Sequence, residues 1–98
     1  MATSTFHQDY QLLIRLIKKN RQQLGVTQVE LAARLGNTQT FVSKMERGER
    51  RLDIIEFIES CEALGIAPCE LLRQFLEQRK QLHGVKPVAL KISKKSNA

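Results

Sequence analysis

Residues Thr27 to Gly48 read TQVELAARLGNTQTFVSKMERG, and this stretch decides the fold of the 98-residue chain. Thr27 is a good helix N-cap, and Glu30, placed three residues later, completes the sequence pattern of a capping box. Apolar residues then recur at the spacing of one helix face, at Leu31, Ala32 and Leu35. Gly36 is the kind of residue that ends a helix. The first half of the stretch therefore predicts one short helix that stops at Gly36.

The second half predicts another short helix, because Thr38 offers a second N-cap. Its inward face would consist of Val42 and Met45, and the side chains that point away from the core would be Gln39, Thr40, Phe41, Lys44 and Arg47. Two short helices hinged at a glycine form a helix-turn-helix. The major groove of DNA admits a helix, and polar side chains on its outward face can hydrogen-bond to base edges. We therefore predict double-stranded DNA as the partner of this stretch.

The order of short motifs around this stretch resembles the lambda repressor/Cro-like family of helix-turn-helix proteins, also called the xenobiotic-response-element (XRE) type. The resemblance covers residues 13–72 and rests on Arg21, Leu24-Gly25, Thr27-Gln28, Glu30-Leu31-Ala32, Leu35-Gly36, Thr38-Gln39, Ser43, Glu46-Arg47-Gly48, Ala63-Leu64-Gly65 and Glu70-Leu71-Leu72. It implies an all-α, five-helix DNA-binding domain in which helix 2 crosses the DNA backbone and helix 3 enters the major groove.

The same resemblance implies which side chains touch DNA. Its base-reading positions match Thr38, Gln39, Thr40 and Lys44. Its phosphate-contacting positions match Gln28, Arg50 and Arg51. The residue chemistry agrees, since Gln39 can form a bidentate contact to adenine and Lys44 can reach a guanine or a phosphate. Thr40 and Phe41 can touch a thymine methyl group, and Arg47 is a further candidate for phosphate binding.

Arg21 is a charged residue on the inward stripe of the first helix. A buried guanidinium without a partner is costly, so Arg21 needs an acceptor inside the domain. We predict that Glu46 supplies it, as the matching pair in the resembled family ties helix 1 to the end of helix 3. A bidentate contact would fix helix 3 against the scaffold. The alternative is a surface pair that contributes at most about 1 kcal/mol.

The remaining helices follow from cap residues and apolar stripes. Helix 1 is predicted to begin near Thr5, which forms a capping box with Gln8, and its inward residues are Tyr10, Leu13, Ile14, Ile17 and Leu24. Helix 4 is predicted to begin after the N-cap Asp53, with a buried face of Ile54, Phe57, Ile58, Cys61 and Leu64. Helix 5 is predicted to begin near Pro68, since proline suits the first helical turn. Both cysteines, Cys61 and Cys69, are predicted to be buried and structural.

An apolar stripe continues along helix 5 beyond what five short helices need for a core. Its residues are the predicted dimerisation candidates, Phe75, Leu76 and Leu82. A dimer would place two recognition helices about 34 Å apart, which is one turn of DNA. The alternative is that Phe75 and Leu76 fold back onto helix 1, on Phe6 or Tyr10.

Residues 84–98 form a predicted basic tail that follows the DNA-binding domain of residues 5–83. The tail carries four lysines and no acid, and we expect it to be flexible and to add sequence-independent attraction to phosphates. Val88, Leu90 and Ile92 alternate with other residues at the period of a strand. The alternative is therefore an edge strand at residues 85–92 that pairs with its copy in a dimer or with a partner protein.

The net charge of +6 is divided unevenly along the chain. Residues 1–51 hold nine lysines and arginines against four acids, a net charge of +5. Residues 52–78 hold one base against six acids, a net charge of −5, and residues 79–98 hold six bases and no acid. A protein with this asymmetry approaches a polyanion with its positive part first, and the first positive block contains the helix-turn-helix.

These observations predict a sequence-specific DNA-binding regulator, a bacterial or phage repressor that binds an operator as a dimer. The alternative from the same fold is an antitoxin that masks a toxin partner and also regulates its own operon. No cofactor, metal site or enzymatic activity is predicted, because the chain lacks paired catalytic carboxylates, a Ser/His/Asp or Cys/His set, a CxxC motif and a Gly-rich phosphate loop. The sequence has no apolar run of about 18 residues and no secretion signal, which predicts a cytoplasmic protein without a membrane span.

Overall fold

Five α-helices make up the structure, a computed structural model that describes residues 7–83. They are α1 (Gln8–Gln23), α2 (Gln28–Leu35), α3 (Gln39–Glu46), α4 (Ile54–Ala63) and α5 (Pro68–His83). Residues 7–83 contain no strand, so the predicted all-α, five-helix fold with a long fifth helix is confirmed. The predicted tail of residues 84–98, with its strand alternative, lies outside the described residues. None of the helices within residues 7–83 is long and apolar enough to cross a membrane.

Side-chain caps start α2, α3 and α4 at the predicted residues. The Thr27 hydroxyl accepts a hydrogen bond from the Glu30 backbone N–H at 3.0 Å, and the Glu30 carboxylate accepts one from the Thr27 N–H at 2.8 Å. Asp53 and Glu56 form the same reciprocal box at the start of α4. The Thr38 hydroxyl accepts a backbone N–H of the first turn of α3 at 3.1 Å. These bonds satisfy N–H groups that have no partner within their own helix.

The start of α1 differs from the prediction. Its N-cap is His7, whose Nδ1 accepts a hydrogen bond from the Asp9 backbone N–H at 3.0 Å. The predicted start near Thr5 is therefore wrong, and Thr5 and Phe6 themselves lie outside the described residues. An imidazole nitrogen can accept the same bond as a hydroxyl, but histidine is not among the residues that usually mark an N-cap.

Buried side chains from all five helices and from the loop before α2 form one core, namely Ile14, Ile17, Val26, Leu31, Ala32, Val42, Met45, Phe57, Cys61, Leu64 and Leu71. Leu12 and Leu16 are also buried, because α1 packs against both α3 and α5 and therefore has more than the single predicted stripe. Leu24 and Ile54 were predicted to face inward, which is wrong, since they are 52% and 62% exposed. Both lie at a helix end, where no neighbouring turn covers the side chain.

α5 runs antiparallel to α1 and is joined to it by polar contacts near both ends. Asn20 Nδ2 donates to Gln74 Oε1 at 3.2 Å. At the other end, Arg79 Nε donates to the Asp9 carboxylate at 2.8 Å, and His83 Nε2 lies 2.6 Å from the other carboxylate oxygen. Burial alone would raise the pKa of Asp9, but the hydrogen bonds from His83 and Arg79 hold this pKa below its ordinary value.

The two cysteines lie in different environments. Cys61 is fully buried in the core, and burial, aided by the charge of Glu62, raises the pKa of its thiol to about 11. Cys69 is exposed, so the prediction that it is buried is wrong. It lies in the first turn of α5, two positions before the buried Leu71, and therefore on a different side of the helix.

Candidate nucleic-acid interface

The outer side of α3 is polar and exposed. α2 and α3 pack against each other across the turn at Gly36, whose φ of +66° lies in the left-handed region that glycine adopts without strain. Val42 and Met45 are fully buried, and they determine which side of α3 faces the core. The predicted DNA-contact residues that are exposed here are Thr38, Gln39, Thr40, Lys44 and Arg47.

Arg21 and Glu46 form a buried ion pair that ties α1 to the end of α3. Arg21 Nε donates to Glu46 Oε2 at 2.6 Å, and Arg21 Nη2 donates to Glu46 Oε1 at 3.0 Å, so the contact is bidentate. Arg21 Nη1 donates to the backbone carbonyl of Val26, just before α2, at 2.7 Å. The two side chains are only 9% and 2% exposed, which excludes the surface-pair alternative.

The same carboxylate connects to the outer surface through Gln28, the first residue of α2. Gln28 Nε2 donates to Glu46 Oε1 at 3.0 Å, and Gln28 Oε1 accepts from Gln39 Nε2 at 3.3 Å. A continuous chain of hydrogen bonds therefore runs from Arg21 through Glu46 and Gln28 to Gln39, and we call these four residues the relay. It joins the buried scaffold to the exposed start of α3. Two residues with separately predicted DNA contacts, Gln28 and Gln39, thus touch each other.

Phe41 does not point away from the core, contrary to the prediction. Its ring is half-buried and packs against the core cluster. It borders a small cavity of about 60 Å³ between α3 and α4, which is also lined by Leu35, Asn37, Glu56, Glu59 and Ser60. At about 100° per residue, Phe41 lies on the flank of α3 between the buried Met45 and the exposed Lys44. Glu56, Glu59 and Ser60 of α4 face this flank across the cavity, which the sequence of α3 alone could not indicate.

Tyr10 of α1 holds the loop between α3 and α4. Its hydroxyl donates to the backbone carbonyl of Arg50 and accepts from the backbone N–H of Leu52, each at 2.8 Å. Burial raises the pKa of Tyr10, so the phenol keeps the proton that it donates. The sequence predicted Tyr10 only as an inward-facing residue and did not indicate its contact with this loop. The signal that could have indicated it is that a buried tyrosine hydroxyl needs a polar partner.

The two arginines of this loop differ in their surroundings. The Arg50 guanidinium lies with its central carbon 4.5 Å from the centre of the Phe41 ring. Arg50 Nη1 donates to the backbone carbonyl of Arg51 at 2.7 Å, and Nη2 donates to the Glu56 carboxylate. Arg51 is exposed, and its side chain makes no hydrogen bond or ion pair with any residue from 7 to 83.

Arg47 lies at the end of α3 and pairs with Glu49. Arg47 Nε donates to Glu49 Oε2 at 2.8 Å, and Nη1 donates to the Ser43 hydroxyl. The hydrogen bond from Arg47 lowers the pKa of Glu49, so the pair stays charged at neutral pH. Both side chains are about half exposed, and such a pair contributes little to stability because water screens it. Arg47 can therefore exchange Glu49 for a phosphate at low cost.

Gly48 closes the end of α3 in a way that only glycine permits. Its φ is +74°, and a Cβ at this position would lie 2.5 Å from Nε2 of Gln11. The Gln11 side chain of α1 therefore lies directly over the Gly48 backbone. This close approach brings the first half of α1 against the end of α3.

Acidic side chains and one open groove are further features of residues 7–83. No group of three or more His, Cys, Asp or Glu side chains in this part of the chain could hold a metal ion. An open groove of about 430 Å³ between α1 and α5 is lined by Leu12, Arg15, Leu16, Lys18, Lys19, Gln22 and Gln78. Three of its lining residues, Arg15, Lys18 and Lys19, are basic, so the groove lies in the positively charged first half of the chain.

Known proteins share this arrangement. A helix-turn-helix family model matches residues 17–71, which is more than half of the chain. The uncharacterized HTH-type transcriptional regulator y4dJ of Sinorhizobium fredii is 40% identical over 52 residues, which cover 53% of this chain and 68% of that protein. The structure of an XRE-family like protein from Pseudomonas syringae pv. tomato is 48% identical, with a TM-score of 0.68 over 71% of this chain and 85% of that one.

The fold also matches a controller protein that was solved with DNA. The restriction-modification controller protein C.Esp1396I, a tetramer in complex with its natural 35 base-pair operator, has a TM-score of 0.69 at 24% identity. The match covers 72% of this chain and 93% of that one. At this identity the likeness shows the fold alone, whereas the family model and the closer relatives confirm the resemblance to the XRE type. The chain therefore belongs to the helix-turn-helix family of the Cro/C1 type and is a DNA-binding transcriptional regulator rather than an enzyme.

Proposed function

We propose that this regulator binds an operator as a dimer, places α3 of each protomer in the major groove, and represses transcription by occupying the site. The observation that carries the proposal is the relay from Arg21 through Glu46 and Gln28 to Gln39. It holds an exposed amide at the start of a helix whose inner side is fixed by the core. A reading side chain that is already oriented loses less conformational entropy when it binds.

Gln39 is the leading residue for direct base readout. One of its amide hydrogens is given to Gln28, which leaves its carbonyl oxygen and its second amide hydrogen. These two groups match the N6 donor and the N7 acceptor of adenine. Thr38, Thr40 and Lys44 are exposed beside Gln39 and complete the reading face. Phe41 is left out of this set because its ring is half-buried.

Phosphate contacts would lie on both sides of the reading face. Gln28 is at the start of α2, where unpaired backbone N–H groups also attract an anion. Arg47 and Arg51 are exposed cations beyond the other end of α3. Phosphate contacts act on any DNA sequence, so these residues would position the reading helix without choosing the site.

A second copy of the chain would bind an apolar surface on α4 and α5. Leu72 and Leu76 are 38% and 52% exposed on one stripe of α5, and Ile54 and Ile55 are 62% and 58% exposed at the start of α4. Leu72 and Ile54 line one open groove, so the two helices contribute to a continuous surface. We call Ile54, Ile55, Leu72 and Leu76 the α4–α5 apolar patch. Contiguous exposed apolar side chains of this kind mark interaction sites.

The patch includes one of the three dimerisation candidates that the sequence indicated. Leu76 is exposed beside Leu72, whereas Phe75 is half-buried. Phe75 follows the buried Leu71 by four residues, and Leu82 follows Phe75 by seven. Leu82 therefore lies on the same side of α5 as Leu71, and not on the side of Leu72 and Leu76. We therefore assign dimerisation to Leu72 and Leu76 rather than to Phe75 and Leu82. The tetrameric operator complex of C.Esp1396I supports an oligomeric mode of binding.

The proposal is tested by selecting random duplex DNA with the purified protein and sequencing what it retains. We expect an inverted repeat whose half-sites lie about one helical turn apart. A DNA template with that site across a promoter should then be transcribed less when the protein is added. Retained DNA without a shared motif, lost at modest salt, would contradict sequence-specific binding. The antitoxin alternative, with a toxin against the acidic exposed side of α4 and α5, would then explain the charge asymmetry better.

The place of action follows from the proposed partner. An operator is part of the host or phage genome, so we place this regulator in the cytoplasm of a bacterium.

A further inference from the structure

We propose that Arg50 is a positioning residue that orients the loop between α3 and α4, and that the phosphate contact expected at this loop is made by Arg51. The inference rests on the proposed operator binding and concerns how the interface is held in shape. It reverses the role that the sequence resemblance implied for Arg50, since that resemblance assigned both arginines to phosphates.

Three protein groups already occupy the Arg50 guanidinium. The Phe41 ring lies against one face at 4.5 Å, the Arg51 carbonyl accepts Nη1 at 2.7 Å, and the Glu56 carboxylate accepts Nη2. The Arg50 and Glu56 side chains are 36% and 26% exposed, so the pair is partly shielded from water. These contacts take up two of the five guanidinium N–H groups and one face of the group, so Arg50 is already held by the protein before any phosphate approaches.

The partners of Arg50 connect three elements of the interface. Phe41 belongs to α3, and Glu56 belongs to α4. The second oxygen of Glu56 accepts the Asp53 backbone N–H at 3.1 Å, so the same carboxylate also caps α4. Phe41, Arg50 and Glu56 therefore form a clamp between the recognition helix and the next helix. Tyr10 holds the backbone of the same loop from the α1 side.

Arg51 has the opposite character. Its side chain is exposed and makes no hydrogen bond or ion pair with the described residues, while its backbone carbonyl is held by Arg50. The clamp therefore holds the backbone of Arg51, while the charged Arg51 side chain extends into solvent. A contact from Arg51 to a phosphate would break no contact within residues 7–83.

The clamp is tested by binding to the operator recovered by selection, measured over a range of salt concentrations. The first variant is Glu56→Gln, which removes the charge pairing with Arg50 but keeps an oxygen able to cap α4. Its matched control is Glu59→Gln, which removes the same charge from an exposed position one turn further along α4. Two further variants are Arg50→Ala and Arg51→Ala, and circular dichroism verifies that each protein is folded.

If the clamp positions the interface, Glu56→Gln should bind the operator about two- to fivefold more weakly than Glu59→Gln, the range of a partly exposed ion pair. Adding Glu56→Gln to Arg50→Ala should cause no further loss, because both changes break the same contact. Arg51→Ala should reduce the slope of log affinity against log salt by about one per protomer, and Arg50→Ala should reduce it less. Phe41→Leu, which keeps an apolar side chain but removes the ring face, should weaken binding without changing the slope.

Two results would overturn the inference. Tighter binding by Glu56→Gln than by Glu59→Gln would show that Glu56 withholds Arg50 from DNA. A salt slope reduced by Arg50→Ala as much as by Arg51→Ala would show that Arg50 itself neutralises a phosphate. A wild-type protein that selects no operator would instead contradict the proposed function, and this result is seen before any variant is made.

Discussion

The Gln28 amide donates to the Glu46 carboxylate at 3.0 Å, and this carboxylate also accepts two of the three hydrogen bonds that the buried Arg21 side chain donates. The Glu46 carboxylate therefore binds both a buried side chain, Arg21, and a partly exposed one, Gln28. Because Gln28 in turn accepts from Gln39, the orientation of the leading base-reading side chain depends on a charge pair inside the domain. The proposed base readout by Gln39 would therefore depend on Glu46, the same residue that partners the buried Arg21.

The first prediction is that Glu46→Ala lowers the free energy of unfolding by about 3–5 kcal/mol, since it leaves the Arg21 guanidinium buried without its partner. The measurement is denaturant or thermal unfolding. The matched control is Glu70→Ala, which breaks a pair with Arg73 whose side chains are 62% and 46% exposed. The control should change the free energy of unfolding little, because water screens an exposed ion pair. An unchanged melting temperature for Glu46→Ala would contradict a stabilising role for the pair.

Gln39→Ala is predicted to lower affinity for the selected operator by about 1–3 kcal/mol and to leave binding to unrelated duplex DNA nearly unchanged. The reason is that Gln39 is proposed to read bases, whereas attraction to any sequence comes from phosphate contacts. Competition binding with both DNAs measures the two affinities. Arg51→Ala is the control and should weaken both. An equal loss on both DNAs for Gln39→Ala would argue against base readout.

Leu76→Glu is predicted to dissociate the dimer, because it places a charge in the α4–α5 apolar patch. Sedimentation analysis gives the oligomeric state, and operator affinity should fall because a monomer reads only one half-site. Leu82→Glu is the matched control, being an exposed leucine of the same helix outside the patch. Dissociation by Leu82→Glu alone would move the interface to the end of α5. A dimer that persists in Leu76→Glu but is lost on removal of residues 85–98 would assign it to that segment.

The two thiols are predicted to react with Ellman's reagent at very different rates. Cys69 is exposed and should react in the native protein, whereas Cys61 is buried, with a pKa raised to about 11, and should react only when the domain opens. Absorbance at neutral pH should show one rapid equivalent of thiol, and the second on addition of denaturant. Cys69→Ser should remove the rapid phase. A rapid phase that survives in Cys69→Ser would mean that the core around Cys61 opens readily.

Acid is predicted to weaken the junction between α1 and α5. Hydrogen bonds from His83 and Arg79 lower the pKa of Asp9, so folding favours the charged carboxylate. The stabilisation is fully present at pH values above the ordinary aspartate pKa of about 3.9 and is lost as the pH falls through the lowered value. Melting temperatures of wild type and Asp9→Asn should therefore differ at neutral pH and converge in acid. A constant difference at all pH values would exclude this origin.

The starts of α2, α3 and α4 followed from the sequence because their caps are local. Thr27, Thr38 and Asp53 each bond to a backbone N–H within three residues, so neighbouring residues determine the geometry. Burial was harder to predict, since it depends on which elements pack together. Phe41 packs against the core cluster, and Cys69 is exposed. Neither outcome could be predicted from the residue type alone.

The interface shows the same division. A buried guanidinium must find an acceptor, which predicted a partner for Arg21, and the family resemblance indicated that this partner is Glu46. Neither the extension of this pair through Gln28 to Gln39 nor the contacts of Arg50 could be predicted, because both depend on side-chain rotamers and on the distance between separate helices. The positive charge of Arg50 indicated attraction to DNA, but the sequence did not show that Phe41 and Glu56 bind its guanidinium within the protein.

The contact between Asp9 and His83 has an architectural consequence. These residues are 74 positions apart in the chain and lie at the two ends of the helical domain, yet their side chains are 2.6 Å apart. The start of α1 and the end of α5, the first and last of the described helices, therefore lie next to each other. Adjacent termini are the property that allows a domain to be inserted into another protein or to be circularly permuted. This helix-turn-helix could accordingly be carried as a portable module within a larger host protein.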